Sequence, residues 1–333
     1  MSNNQNLWEK RWNPLRGEWV VYAAHRNSRP WDGESLIPKT NPIPYVQDCY
    51  LCPGNKRSKG VTNPKYEDIF VFDNDFPVVS EEAPKIKSGS NSWALKGSAN
   101  GFAKVICYHP DHSKTMSNLE LHHLTNILST WQDITKEAKI KGLESVLVFE
   151  NKGSVTGVSN LHPHCQVYAT DFVFKYTSDE LNSIDKSEDD LFQKIIDQEK
   201  KDKVRLISEN DHGIAFIPFF ARYAFEIMLF PKRKVANLTE LSQEELRGIA
   251  EVYQTVILKY DALYEMDFPY VMSIMQAPLQ EEHDKYHMYF HFQPPLRTPS
   301  VKKYLAGPEI GGGNFMADTM PEASAKILRN AGE

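Results

Sequence analysis

The sequence predicts a mixed fold of strands and helices in which one unit is used twice. Residues 104–141 read as strand, loop and long helix, and "YAFEIMLFPKRKVANLTELSQEELRGIAEVYQTVILKYDAL" repeats that order, with a proline-containing loop and an N-L dipeptide before its helix. "YVMSIMQAP" then stands where "SVLVFENKG" stood, and "YFHFQ" at 289–293 stands where "HPHCQ" stood. This keeps His291 and Gln293 opposite His164 and Gln166, while Tyr289 replaces His162. The length of 333 residues, with 41% hydrophobic and 25% charged side chains, suits one large globular domain or two ordinary ones.

Taken in order, "NPLRGEWVVYAAHRNSRPWDG" gives a turn at Arg16-Gly17, a strand over Trp19–Ala23 and a loop bearing Arg26 and Arg29. "DIFVFDNDFPVV" predicts a strand over Ile69–Phe72 that ends in Asp73, Asn74 and Asp75. "GFAKVICYHPDH" is a strand running into a loop. "SNLELHHLTNILSTWQDITKEAKIKG" has the i, i+3, i+4 apolar spacing of a helix, with Ser117 or Asn118 as its N-cap. "ESVLVFENKG" reads as a buried strand, followed by the glycine-containing loop "KGSVTGVSN". We divide the chain into 1–171, an acidic helix-patterned surface insertion at 172–203, and 204–333, whose tail after Arg297 reads as an appended arm with glycine-rich turns.

The formal net charge of −6 argues against a general nucleic-acid coat, because counterion release needs a basic face. Any anionic substrate must be met by a local basic pocket. "MSNNQNLWEK" lacks the apolar core of a signal peptide, and no run of about 18 apolar residues suggests a membrane span. A soluble, cytoplasmic protein with no membrane partner is therefore expected.

Of four cysteines, Cys49 and Cys52 form a C-x-x-C pair, which in a reduced compartment suggests metal or redox chemistry over a structural disulfide. Pro53 and Gly54 follow directly, resembling the turn by which zinc knuckles aim two thiolates at one ion. His112 and His162 are the best candidates to complete the set. Two sulfurs and two nitrogens suit zinc, and a site closed by four protein ligands is structural. The other histidines, apart from those of the H-P-H and "YFHFQ" stretches, read as ordinary surface or core residues.

In "SNLHPHCQVYA", His162 and His164 lie two apart and so share one face of an extended segment. If His162 holds a metal, His164 inherits a fixed position. Its imidazole, substantially neutral at physiological pH, can attack phosphorus without a separate base. Gln166, on the same face, can donate to a phosphoryl oxygen, and the glycine loop and Ser159 add further donors. Arg26 and Arg29 offer charge for a diphosphate. The combination points to phosphoryl or nucleotidyl transfer.

"NPLRGEWVVYAAHRNSRPW", "CYLCPGN", "VFDNDFP", "DHSKT", "FENKG" and "SNLHPHCQ" occur in an order that resembles the galactose-1-phosphate uridylyltransferases of the histidine-triad superfamily, most strongly over residues 1–170. The resemblance implies an α+β fold of two related histidine-triad-like halves, each a mostly antiparallel sheet with packed helices, assembled as a homodimer. It implies a ping-pong exchange of UMP between UDP-glucose and galactose 1-phosphate, with His164 as nucleophile and Gln166 as the phosphoryl-stabilising amide. The implied Zn2+ ligands are Cys49, Cys52, His112 and His162; no organic cofactor is expected. Arg26, Arg29, Asn74, Asp75, Asn151 and Ser159 match nucleotide-binding positions, and Lys303 and Glu309 lie in the arm that some members use for the sugar phosphate.

Two departures shape the expectations. Cys165 stands where many members have glycine, and its side chain is expected to alter the pocket wall beside the nucleophile. A second metal site of some members needs histidines where this chain has Met275 and Tyr289, so one metal is expected. The rival readings are a nucleotidyltransferase or phosphorylase of the same superfamily acting on an adenine nucleotide, a catalytically silent zinc-stabilised nucleotide-binding protein, and, last, a zinc hydrolase.

Overall fold

Asn13 accepts through its side chain from the backbone N–H groups of Leu15 (3.1 Å) and Arg16, and Gly17 turns at φ +63°. Together they close a hairpin of β1 (Trp8–Asn13) and β2 (Glu18–Ala23). The computed structural model describes residues 8–25, 43–87, 91, 93–299 and 301–332, so Arg26 and Arg29 lie outside the described residues.

The first half continues with β3 (Phe70–Asp73), β4 (Gly101–Cys107), α1 (Leu121–Ile140), β5 (Ser145–Lys152) and β6 (His164–Thr170). After α2 (Lys175–Asp185) and α3 (Leu191–Asp202) come β7 (Leu206–Glu209), β8 (Gly213–Phe216), β9 (Ile227–Pro231), α4 (Gln243–Leu263), β10 (Tyr270–Met275) and β11 (Tyr289–Gln293). The arm holds β12 (Leu296–Thr298), β13 (Val301–Lys302), the short α5 (Gly307–Gly312), β14 (Met316–Ala317) and α6 (Pro321–Arg329). β14 pairs in parallel with β2, tying the arm to the opening hairpin.

Nine strands form one antiparallel sheet in the order β3-β4-β6-β5-β10-β11-β9-β8-β7. Apart from the terminal β7, this order is a palindrome of the two halves: β3, β4, α1, β5, β6 recur as β8, β9, α4, β10, β11. At the central seam Glu150 lies opposite Met272, Phe149 opposite Ser273 and Asn151 opposite Val271. A two-fold relation through the Glu150–Met272 pair carries Phe149 onto Val271. Gln166 pairs with Phe149 and Gln293 with Val271, so the same operation carries Gln166 onto Gln293 and His164 onto His291. The duplication read from the sequence thus recurs in the sheet, with His164 and His291 matched as expected, but β10 sits three residues away from the alignment that set Ser145 against Tyr270.

One sheet face is covered by α1 and α4, which pack against each other through apolar stripes that include Leu124, Ile127, Trp131, Ile249, Tyr253 and Val256. α4 begins with a capping box between Ser242 and Glu245. α1 does not begin where the sequence suggested. Asn118 closes a turn by accepting from the Thr115 N–H (2.9 Å), and the helix starts after Glu120 without a side-chain cap, so neither Ser117 nor Asn118 is the N-cap.

On the opposite face the halves differ. α2 and α3 bury Ile184, Phe192 and Ile196 against Phe216, Met228, Phe230 and Tyr289 of the second half. Glu180 of α2 is fully buried and accepts from the hydroxyls of Tyr286 and Tyr289 (2.6 Å for Tyr289), with Arg16 at 3.5 Å. The segment between the halves is therefore no loose surface excursion. It covers the face of the second half that corresponds to the open face of the first, and leaves the latter clear for the site.

Glu150 at the seam is buried on the helix side, where Tyr253 (3.3 Å) and Tyr270 (3.1 Å) donate to one of its oxygens. Burial lifts its carboxyl to about 7, only partly countered by Lys152 and the tyrosine hydroxyls. A carboxyl raised above its unfolded value costs stability as pH climbs above the unfolded pKa, and the cost levels off past the folded one. Glu150→Gln removes that cost, so its thermal midpoint relative to the unsubstituted protein is expected to improve between pH 5 and pH 8. The full difference approaches about 3 kcal/mol, measurable by calorimetry at the two pH values.

Candidate active site and metal centre

The loop before β3 folds into a knuckle. The Cys52 N–H donates to the Cys49 carbonyl (3.2 Å), Gly54 turns at φ +78°, and the side chains of Asn55 and Asn63 donate to the carbonyls of Val46, Cys49, Tyr50 and Cys52. Both thiols are thereby turned to one point. The β4–α1 loop brings His112, anchored by its N–H on the Pro44 carbonyl (2.8 Å). The loop before β6 brings His162, whose N–H donates to the Asn160 side-chain oxygen (2.8 Å).

The ligand atoms of Cys49, Cys52, His112 and His162 all lie within 4.8 Å of one another, with Cys52 Sγ 3.5 Å from the Nδ1 atoms of both histidines. The far nitrogen of His162 donates to the His109 carbonyl (2.9 Å), which leaves Nδ1 as the lone pair facing the sulfurs. For Cys49, burial opposes ionisation, yet His112, His162, the Leu51 N–H and Asn160 hold the thiol down to about 4. Burial, together with the neighbouring Cys49 charge, pushes Cys52 up to about 11. Two closely held thiolates repel, and a divalent cation relieves that repulsion. The donor set fits a bound metal ion on chemical grounds.

His164 opens β6 with its side chain buried, and its Nδ1 donates to the His162 carbonyl (2.7 Å). Burial lowers its pKa below the ordinary histidine value, against the raising effect of that hydrogen bond. Among the described residues no hydrogen bond engages its Nε2. The ring borders a cleft of about 60 Å³ lined also by Phe149, Asn151, Gly157, Val158, Ser159, Cys165 and Gln166. The loop that roofs it leaves β5 at Gly153, where φ is +87° and a side chain would meet Pro269 at 2.8 Å. The structure therefore brings His164, Gln166, Asn151 and Ser159 to one cleft beside the metal ligands, and the Ser159 hydroxyl also meets Tyr50 OH (3.1 Å).

Other residues singled out in the sequence sit differently. Asn74 donates to the Gln166 side-chain oxygen (3.1 Å), and Asp75 faces the Arg57 guanidinium (3.5 Å). Lys303 and Glu309 pair with each other (2.9 Å) inside the arm, where Lys303 also donates to the Met316 carbonyl. Neither has a hydrogen bond or ion pair to a residue of the cleft, and Arg26 and Arg29 fall outside the described residues. Cys165 borders the cleft beside His164 as expected, while strand alternation turns its sulfur to the helix side, where it accepts from the Trp131 indole (3.1 Å). Asn160, Tyr66 and Tyr168 were missed by the sequence reading; Tyr168 alone was signalled, by the same two-residue spacing that picked out Gln166.

In the second half His291 is buried, with its Nε2 held by Glu226 (2.8 Å), whose other oxygen accepts from the N–H groups of Arg222 (2.7 Å) and Tyr223. The nitrogen left unengaged in His164 is tied to a carboxylate in His291. Of this related pair, only His164 keeps its Nε2 free of a hydrogen bond among the described residues.

A duplicated antiparallel sheet, with a histidine-bearing strand beside a Cys2His2 cluster, defines the class: a two-half α+β protein with a candidate site in its first half. The match to known proteins narrows this further. Residues 1–173 match the N-terminal domain model of galactose-1-phosphate uridyl transferase, and residues 171–333 match its C-terminal domain model. The chain belongs to the galactose-1-phosphate uridylyltransferase family, a family of transferases.

It is 36% identical to the galactose-1-phosphate uridylyltransferase of Haemophilus influenzae, over 97% of this chain and 94% of that one. It is 37% identical to that of Saccharomyces cerevisiae, over 96% and 93%. Among solved structures, a uridylyltransferase superposes with a TM-score of 0.78 at 28% identity, covering 98% of both chains. An ADP-glucose phosphorylase from Arabidopsis thaliana with bound ADP-glucose shares the fold, with a TM-score of 0.76 at 24% identity over 98% of this chain and 100% of that one. No helix among the described residues is long and apolar enough to cross a membrane.

Two outcomes follow from this geometry. Cys52→Ser is expected to lower bound metal from about one ion per chain to well below it, as measured by elemental analysis, with a large fall in thermal midpoint. Cys165→Ala is expected to cost about 1–2 kcal/mol of stability through the Trp131 contact, while transfer rates stay within about twofold of the unsubstituted protein.

Proposed function

We propose that the chain exchanges UMP between UDP-glucose and galactose 1-phosphate through a uridylyl group carried on His164. One observation supports this above the others: the Nδ1–H of His164 is committed to the His162 carbonyl at 2.7 Å, which leaves Nε2 as an unprotonated nucleophile at the cleft. Nε2 attacks the α-phosphorus, forming an N–P bond as the bond from that phosphorus to the bridging oxygen breaks. Glucose 1-phosphate leaves with the oxygen. A phosphate oxygen of galactose 1-phosphate then attacks the same phosphorus, releasing the histidine and UDP-galactose.

Gln166 donates from its amide to the non-bridging oxygens as charge gathers there, a contribution that grows toward the transition state. Asn151 and Ser159 hold the nucleotide from the sides of the cleft. Arg26, Arg29 and Asp75 belong to the same nucleotide site in this reading, and Asn74 reaches it through Gln166. Cys49, Cys52, His112 and His162 would hold Zn2+, which would supply rigidity to His162. Four protein ligands would leave zinc no open position for a water nucleophile, which disfavours hydrolysis.

Lys303 and Glu309 hold each other within the arm. We assign them to the sugar phosphate of a partner subunit's site in a homodimer, which requires their mutual pair to loosen on binding. The chemistry suits a cytoplasmic enzyme of galactose metabolism, with residues 1–171 carrying the working half and 204–333 the silent one.

Intact-protein mass spectrometry after UDP-glucose alone is expected to show a uridylyl adduct. The adduct should be labile in acid, stable in base, absent from His164→Ala, and discharged by galactose 1-phosphate. An adduct that forms from ADP-glucose in preference would reassign the nucleotide, and an unmodified protein under all conditions would refute covalent transfer.

A further inference from the structure

We infer that Tyr168 is a positioning residue for the transfer reaction: with Asn74 it holds the Gln166 side chain so that the amide N–H groups, and not the carbonyl, face the phosphoryl group. The inference rests on the reading of Gln166 as the phosphoryl donor.

The two ends of a glutamine amide are nearly the same size, so shape alone does not decide which one faces a ligand. A carbonyl turned to the phosphoryl oxygens would set acceptor against acceptor and repel the charge that the reaction gathers. The surroundings of Gln166 decide the matter. Its Oε1 receives the Asn74 amide at 3.1 Å and the Tyr168 hydroxyl at 3.3 Å, one donor for each lone pair.

Asn74 cannot reverse its own amide cheaply, because its Oδ1 already accepts from the Phe76 N–H (2.9 Å) and its backbone N–H is fixed on the Ala103 carbonyl (2.8 Å). A flipped Gln166 would then point its NH2 at the NH2 of Asn74. Tyr168 is placed for its part by strand alternation, two residues beyond Gln166 on the same face of β6. Its ring meets Phe149 edge-on at 4.8 Å, and the small Ala103 lies opposite it in β4, leaving room for the hydroxyl to swing back to Gln166. Partial burial raises the phenol pKa, so the group stays a donor across the working pH range.

Rapid-quench measurement of adduct formation from UDP-glucose alone tests this with four full-length proteins: unsubstituted, Tyr168→Phe, Gln166→Ala and the double variant. Phenylalanine keeps the ring packing, so metal content and thermal midpoint are expected to match the unsubstituted protein. Tyr168→Phe is expected to form adduct about 5- to 10-fold more slowly, the effect of one neutral hydrogen bond, with UDP-glucose affinity changed less than about twofold. The double variant is expected to be no slower than Gln166→Ala, because Tyr168 acts only through Gln166. A Tyr168→Phe rate equal to the unsubstituted rate, or a tyrosine penalty that persists in full without Gln166, would overturn the inference. Failure of the unsubstituted protein to form any adduct would instead sink the parent reading, and the two failures are told apart by that first sample.

Discussion

The hydrogen bond from His164 Nδ1 to the His162 carbonyl is the constraint on which the rest of the site depends. It joins two things that are separate in chemistry, a closed cluster of soft donors and a reactive imidazole. His162 contributes to both at once: its ring nitrogen belongs to the cluster, and its carbonyl selects the tautomer of its neighbour. Pro163 between them fixes one backbone angle and offers no competing N–H. In the proposed reaction the ring of His164 is thereby aimed, with one nitrogen bare, before any substrate arrives, so little reorganisation would remain.

Duplication explains why the molecule needs twice the sheet for one site. The seam at Glu150 and Met272 joins two copies of a five-element unit into one continuous surface, and the helices α1 and α4 back both halves with a shared apolar layer. The copies part on the other face. In the first half that face is open over His164 and Gln166. In the second, α2 and α3 lie across it, and Glu226 occupies the His291 nitrogen that corresponds to the nucleophilic one. The second half completes the sheet and carries the arm, which returns through β14 to β2.

Much of this was legible in the sequence because it is local or periodic. The C-x-x-C pair with its proline and glycine, the close-set His162 and His164, and the repeated strand-loop-helix order each leave a mark over a few residues, although His162 lies in the loop before β6 and does not share a strand face with His164. The order of those marks also matched a family whose fold and membership the structure and the comparisons bear out. What stayed hidden depends on which face or partner a residue meets at long range. Cys165 borders the cleft where its place beside His164 put it, but alternation sends its sulfur to the other side of the sheet, and that partner, Trp131, lies 34 positions away in the chain. Ser117 and Asn118 have the right chemistry for a cap, but Asn118 is spent on a preceding turn. Lys303 and Glu309 carry the charges that a sugar phosphate would need, and nothing in their spacing announces that they neutralise each other.

The tautomer of His164 is the most direct measure of the central claim. Nitrogen NMR of histidine-labelled protein, with His164→Ala used to assign the signal, reads the proton position on each ring nitrogen at neutral pH. Protonation at Nδ1 with a bare Nε2 is the outcome that the His162 carbonyl demands. A resting ring protonated at Nε2, its lone pair turned back toward the His162 carbonyl, would contradict the account.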